Sequence, residues 1–305
     1  MTTLPRANHL PTTALGKAPQ PTETEVAYSR FVPKRFLQLL GVDDIRTVQL
    51  GQQVERSMTI LFSDIRDFTS LSESMSPQEN FNFLNAYLVQ MEPVIAAHGG
   101  IIDKYIGDAI MALFPNSPDD ALRCSLAMMA KLDEYNAGRE RAGYQSIKIG
   151  VGINTGIVIL GTVGGEGRMD GTVIGDAVNV ASRLESANKG YGTQILIGES
   201  TNRLAHGSVV TREVDRIAVY GREEGLSIYE LVHMSGDEIA EKGACAWIAR
   251  YQEALGKYRN RDFLGALRGF EEVLRQKRRD GPAEVMRNRC SELLRTGSSE
   301  SWQPF

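Results

Sequence analysis

Residues 99–114 read GGIIDKYIGDAIMALF: two apolar runs, 101–105 and 109–114, joined at Ile106-Gly107-Asp108. Short β-prone runs around a glycine-containing turn predict a β-hairpin with an aspartate at its tip. Upstream, Ser76-Pro77-Gln78-Glu79 supplies an N-cap, a proline at the first helical position and a capping-box glutamate, so a helix should begin there. Its apolar face is expected to carry Phe81, Leu84, Leu88, Met91 and Ile95, with a stop at Gly99-Gly100 and a kink or early end at Pro93. Further back, residues 58–64 (MTILFSD) form a short apolar run suited to a buried strand that ends in an acid.

Working outward in the other direction, Pro118-Asp119-Asp120 opens a second helix reaching about residue 135, and residues 148–154 and 157–163 read as paired strands around Thr155-Gly156. A glycine-rich turn at 164–171 precedes a helix at 176–188, then strand signals at 193–197, 209–214 and 226–231. The order β-α-β-β-α-β predicts an α+β fold, a ferredoxin-like core with additional strands, a sheet of mixed direction and helices over one face. After residue 235 the strand signals cease, and 246–255, 263–274 and 282–294 predict an all-helical extension. The chain therefore divides into a disordered lead-in at 1–27, a linker helix at 28–57, a central domain at 58–234 and a helical tail at 235–305.

Composition narrows the function classes. The 305 residues are 42% hydrophobic and 24% charged, as in an ordinary soluble globular protein, which excludes wholesale disorder and fibrous architectures. The formal charge is −4 with no block of Lys or Arg, so nucleic acid is not an expected partner. Cys124, Cys245 and Cys290 are odd in number and widely spaced, which argues against a disulfide framework and for a reducing cytoplasm. Residues 1–25 lack the layout of a signal peptide, and no run approaches the roughly 20 apolar residues of a membrane span. A cytoplasmic location follows as the expectation.

Asp64 at a strand end and Asp108 at a hairpin tip can converge at one edge of a sheet, and paired carboxylates suit hard divalent cations such as Mg²⁺ or Mn²⁺. Aspartates at such positions are also ordinary turn formers, so the isolated pair leaves both readings open. Asn179 and Arg183 lie four apart on an expected helix and so share a face; an amide beside a guanidinium fork can meet one phosphate-bearing ligand.

Three stretches, LFSDIRDFTSLSE (61–73), GGIIDKYIGDAIMALF (99–114) and TVIGDAVNVASRLE (172–185), resemble in order and spacing the signatures of class III adenylate/guanylate cyclase catalytic domains. The resemblance covers about residues 56–232. It implies that Asp64 and Asp108 bind two Mg²⁺ or Mn²⁺ ions per active site, with the Ile65 backbone carbonyl also meeting a metal. Lys104 and Thr172 take the purine-reading positions, and Asn179 and Arg183 those that orient the ribose and stabilise charge during transfer. The implied reaction is attack of the ribose 3′-hydroxyl on the α-phosphorus, at sites shared across a homodimer.

A lysine donates to the N1 acceptor of adenine, whereas guanine presents an N1–H donor, so Lys104 favours ATP as substrate and 3′,5′-cyclic AMP as product. Guanylate cyclase activity and a catalytically silent nucleotide-sensing or dimerisation module are the alternatives. A palm-type polymerase or diguanylate cyclase is disfavoured, because the chain has no GGDEF sequence and no basic groove. The Lys104/Thr172 pair is similar to a bacterial subgroup, some of whose members respond to bicarbonate, and the same regulation is expected here. Two positions depart from the family pattern. Asp67 stands where many relatives have Gly, and Val219-Tyr220-Gly221-Arg222 replaces a Val-Lys-Gly-Lys turn, leaving Arg222 as the substitute phosphate contact. The tail resembles one tetratricopeptide helix pair, which cannot bury its apolar faces alone and should pack on the catalytic domain, its dimer mate or a partner protein. An upstream sensor is the other expected partner.

Overall fold

The computed structural model describes residues 33–165, 167–206, 209–217, 225–234, 238–297 and 302. The lead-in at 1–27 and Arg222 lie outside the described residues.

A helix, α1 (Lys34–Leu40), and one 3₁₀ turn lead into strand β1 (Gln53–Ile65). This strand starts five residues before the expected 58, because Gln53–Ser57 already pair with a neighbouring strand although their side chains are mostly exposed. A short helix, α2 (Phe68–Glu73), precedes α3 (Pro77–Ala97), whose capping box forms as read: the Ser76 and Glu79 side chains each accept from the other's backbone N–H. Helix α3 continues unbroken through Pro93. Met91 and Ile95, on either side of it, are both fully buried, and that burial offsets the hydrogen bond proline removes. Its buried face is Phe83, Tyr87, Met91 and Ile95, at four-residue spacing; Phe81 points outward and is 65% exposed.

The hairpin follows as β2 (Ile101–Ile106) and β3 (Ala109–Phe114), then α4 (Pro118–Arg141) and β4 (Ile149–Gly165). The expected pair of strands at 148–163 is one strand of 17 residues, with no turn at Thr155-Gly156. Gly156 serves packing instead. A Cβ there would lie 2.8 Å from Cβ of Ala177, on a helix that crosses the strand. The glycine-rich turn at 164–171 is also shorter than expected, because β5 (Arg168–Ile174) begins inside it and pairs back onto β4. Next come α5 (Asp176–Tyr191), β6 (Ile195–Gly198), α6 (Glu199–Leu204), β7 (Val209–Ile217) and β8 (Leu226–Met234). The tail is α7 (Glu238–Arg259), α8 (Phe263–Gln276) and α9 (Gly281–Thr296).

The eight strands form one sheet, ordered β2-β3-β1-β4-β6-β8-β7 with β5 added to β4. Its β2-β3-β1-β4 part, with α3 and α4, is the ferredoxin-like core; β4–β6 is the parallel pair and the other pairings are antiparallel. Alternation along β1 sorts two cores. Leu61 and Ile65 pack beneath α3 and α4, whereas Met58, Ile60 and Phe62 face Phe36 of α1 and Ala177 and Ala181 of α5. Helices therefore cover both faces, not one, because the strand residues of the second face are as apolar as those of the first.

The tail closes the free edge at β7. Tyr251 and Gln252 of α7 donate to the backbone carbonyls of Val214 and Glu213, each at 2.7 Å, which occupies an edge that would otherwise offer itself for pairing. Arg259 pairs with Glu213 at 2.7 Å. Arg212, fully buried, is held by Asp280 at 2.8 Å and Glu230 at 2.5 Å, with Trp247 and Tyr251 against its guanidinium. Arg289 of α9 reaches Asp215 and the hydroxyl of Tyr191, the last residue of α5.

Candidate active site

The end of β1 and the tip of the β2–β3 hairpin meet, as the sequence predicts. The Ile65 backbone N–H donates to Oδ1 of Asp64 at 3.0 Å and to Oδ2 of Asp108 at 3.2 Å, so one amide gathers both carboxylates. Burial, followed by the neighbouring Asp64 carboxylate, pushes Asp108 up to about 7. Two anions brought this close repel, and either a proton or a cation relieves them. Among the described residues there is no group of three or more His, Cys, Asp or Glu that could hold a metal. The pair fits Mg²⁺ or Mn²⁺ all the same, since such ions are commonly held by one or two carboxylates and complete their shells with water and substrate oxygens.

A second cluster forms where the β4–β5 arm folds over β3, placing Val173 in one apolar cluster with Met111 and Leu113. That fold brings Thr172 to Lys104 across 68 positions of sequence: Nζ of Lys104 donates to Oγ1 of Thr172 at 2.8 Å. Asp103, which the sequence reading passed over, completes the cluster. Its Oδ2 accepts from Oγ1 of Thr172 at 3.3 Å and lies 3.3 Å from Nζ of Lys104, while its side chain is 1% exposed. Burial raises this carboxyl above the usual range, and the charge of Lys104 opposes the rise. Strict alternation would send residues 103 and 104 to opposite faces. The register slips between Ile102 and Lys104, a β-bulge that lets both reach Thr172, and nothing in the run IIDKYI announces it.

Asn179 and Arg183 stand on the exposed face of α5, and neither makes a hydrogen bond or ion pair with another described residue. The opposite face of α5 lies on β4 at Gly152, where a Cβ would come within 2.1 Å of the Glu185 backbone nitrogen. Arg66, directly after Ile65, joins the two regions: it pairs with Glu185 at 2.9 Å and donates to the Glu185 carbonyl at 3.2 Å. Asp67 adopts φ 56°, the left-handed conformation that glycine takes without strain. Its carboxylate is lowered by a hydrogen bond from Lys189 at 2.9 Å, so its charge is answered on the surface.

Residues 50–233 match the adenylate and guanylate cyclase catalytic domain family. The chain is 46% identical over 213 residues to an adenylate cyclase of Anabaena cylindrica, a match covering 67% of this chain and 42% of that protein. It thus spans less than half the length of this curated relative. Among solved structures, the adenylyl cyclase CyaB from P. aeruginosa aligns with a TM-score of 0.55 at 34% identity, over 61% of this chain and 98% of that one. The guanylyl cyclase Cya2 aligns with a TM-score of 0.53 at 36% identity, over 61% and 96%. Among the described residues, no helix is long and apolar enough to cross a membrane.

Proposed function

The chain belongs to the adenylate and guanylate cyclase catalytic domain family, and from that premise we propose that it converts ATP to 3′,5′-cyclic AMP and pyrophosphate. Likeness to both an adenylyl and a guanylyl cyclase leaves the base open. The contact between Lys104 and Thr172 carries the choice: it sets an ammonium donor beside a hydroxyl, and adenine offers N1 and its 6-amino group side by side on one edge.

Asp64, Asp108 and the Ile65 carbonyl would hold two divalent cations. When bound, those ions supply charge neutralisation along the triphosphate and acidify the ribose 3′-hydroxyl. Lys104 and Thr172 fix the purine edge and Asn179 orients the ribose. Arg183 offers its planar donor fork to the phosphate oxygens on which charge spreads as the O3′–P bond forms, the bond to pyrophosphate breaks and the hydroxyl proton leaves to water.

The pockets are shared between two copies of the chain. Supporting this, Asn179 and Arg183 have no partner among the described residues. Ile157, Ile159 and Ile174 are also 64%, 42% and 56% exposed on the β4–β5 arm, with Ile159 directly opposite Ile174. Adjacent bare isoleucines of this kind mark an association surface.

The direct test is cyclic nucleotide formation from ATP and from GTP with Mg²⁺ or Mn²⁺, beside Asp64→Ala. Cyclic AMP from ATP, lost in the variant, is expected; cyclic GMP as the main product refutes the base assignment. Mixing Asp108→Ala with Arg183→Ala chains should restore activity through one intact pocket, and silence from verified mixed dimers refutes sharing. Bicarbonate regulation belongs to the same reading, and turnover unchanged by bicarbonate at fixed pH removes it.

A further inference from the structure

The hydrogen-bond inventory around Thr172 closes in one way. A threonine hydroxyl has one proton and two lone pairs. Its proton goes to Oδ2 of Asp103, 3.3 Å away, and one lone pair receives the Lys104 ammonium. What remains is a single lone pair, so Thr172 can still accept and can no longer donate. Lys104 directs one proton to Thr172 and a second towards Asp103, which leaves one to donate. Side by side, the two groups present one acceptor and one donor. Adenine's 6-amino group and N1 satisfy both, whereas guanine's O6 and N1–H oppose both.

Resting on the purine-reading role of Lys104 and Thr172, we propose that Asp103 is a positioning residue for substrate choice: it fixes the polarity of the Thr172 hydroxyl and thereby selects ATP over GTP. Asp103 itself does not touch the base. It occupies the unpaired position of the β2 bulge, where no residue of β3 lies opposite it. Its side chain is almost wholly enclosed. Without an acceptor at that position the Thr172 proton is free to rotate outward and meet O6 of guanine.

The test is equilibrium binding of α,β-methylene ATP and α,β-methylene GTP, which cannot cyclise, to the full chain and to Asp103→Asn, Asp103→Ala, Thr172→Val and the Asp103→Ala/Thr172→Val double variant. The unmodified chain is expected to prefer the adenine analogue. Asp103→Ala should lose about tenfold of that preference, the size of one hydrogen bond turned the wrong way, and Asp103→Asn, whose amide oxygen can still accept the Thr172 proton, should lose less. Part of the change should appear as tighter binding of the guanine analogue. A merely structural role would weaken both analogues equally.

Because Asp103 acts through Thr172, the double variant should discriminate no worse than Thr172→Val alone. An unchanged preference in both Asp103 variants, or additive losses in the double variant, overturns the role of Asp103 while the adenine reading stands. No preference in the unmodified chain overturns both. Binding preference without any cyclic nucleotide product would instead retire the activity and leave the role of Asp103 intact.

Discussion

Gly152→Ala adds one carbon atom at a point where the fold has no room for it. The position faces α5 from β4, opposite Phe62 in the β1–β4 register. The added Cβ would stand 2.1 Å from the backbone nitrogen of Glu185 and 2.3 Å from the carbonyl oxygen of Ala181, where ordinary contact begins near 3.4 Å. Both neighbours are main-chain atoms of α5, so no side chain can swing aside. Helix and strand must separate by about 1 Å, and overpacking of this kind costs about 1–3 kcal/mol.

The same shift moves Asn179 and Arg183, which α5 carries on its other face. Displacing positioning groups by about 1 Å costs on the order of 10²-fold in rate. The expected variant is therefore a folded protein with turnover down about 100-fold and urea unfolding free energy down by about 1–3 kcal/mol. Initial rates of cyclic AMP formation beside a urea titration measure both. Turnover within threefold of the parent would refute the claim that contact with β4 fixes the height of α5.

Three further outcomes are expected. Asp280→Ala leaves the fully buried Arg212 with Glu230 as its remaining carboxylate and removes the cap that Asp280 gives to Ala283. Breaking a buried pair costs about 3–5 kcal/mol; taking about 3, because Glu230 stays, a thermal scan should show a midpoint lower by about 6–12 °C. A shift under 2 °C would mean the pair is idle. Burial pushes the Asp280 carboxyl up, but the hydrogen bond and charge of Arg212, with Lys277, outweigh it and leave it below the usual carboxylate value. Its stabilisation is thus complete above the ordinary pKa near 4 and lost as pH falls through the depressed value. Acid titrations of parent and Asp280→Ala should converge there, and parallel curves would contradict this. Finally, Ile159→Lys on the β4–β5 arm should give monomers by sedimentation and abolish turnover, whereas an active dimer would exclude this face from the interface.

The elements of the ferredoxin-like core were legible because each has a local cause: the capping box before α3, the glycine turn after β2, the proline at the start of α4. The two aspartates were legible for the same reason, since the ends of strands and hairpins fix where their residues emerge. What escaped the sequence was set by tertiary approach. Thr155-Gly156 looks like a turn, but the glycine is there to admit α5. Asp103 looks like an exposed charge beside Lys104 until the bulge turns it inward, and the β4–β5 arm supplies its partner Thr172 from 69 residues away. Helices on both faces were missed because β1 is apolar on both, a pattern that does not say which helix covers which side.

The docking of the tail bears on where such a protein can be cut and joined. The family segment ends at residue 233, yet its outermost strand finds partners for Arg212, Glu213 and Asp215 beyond that point, in α7, α9 and the turn before α9. A chain severed after Met234 would bare the β7 edge and strip Arg212 of Asp280. The portable unit is accordingly the family segment together with its three helices. A regulatory module fused directly behind β8 would displace the helices that seal the sheet, whereas one attached after α9 or ahead of α1 would leave the seal in place.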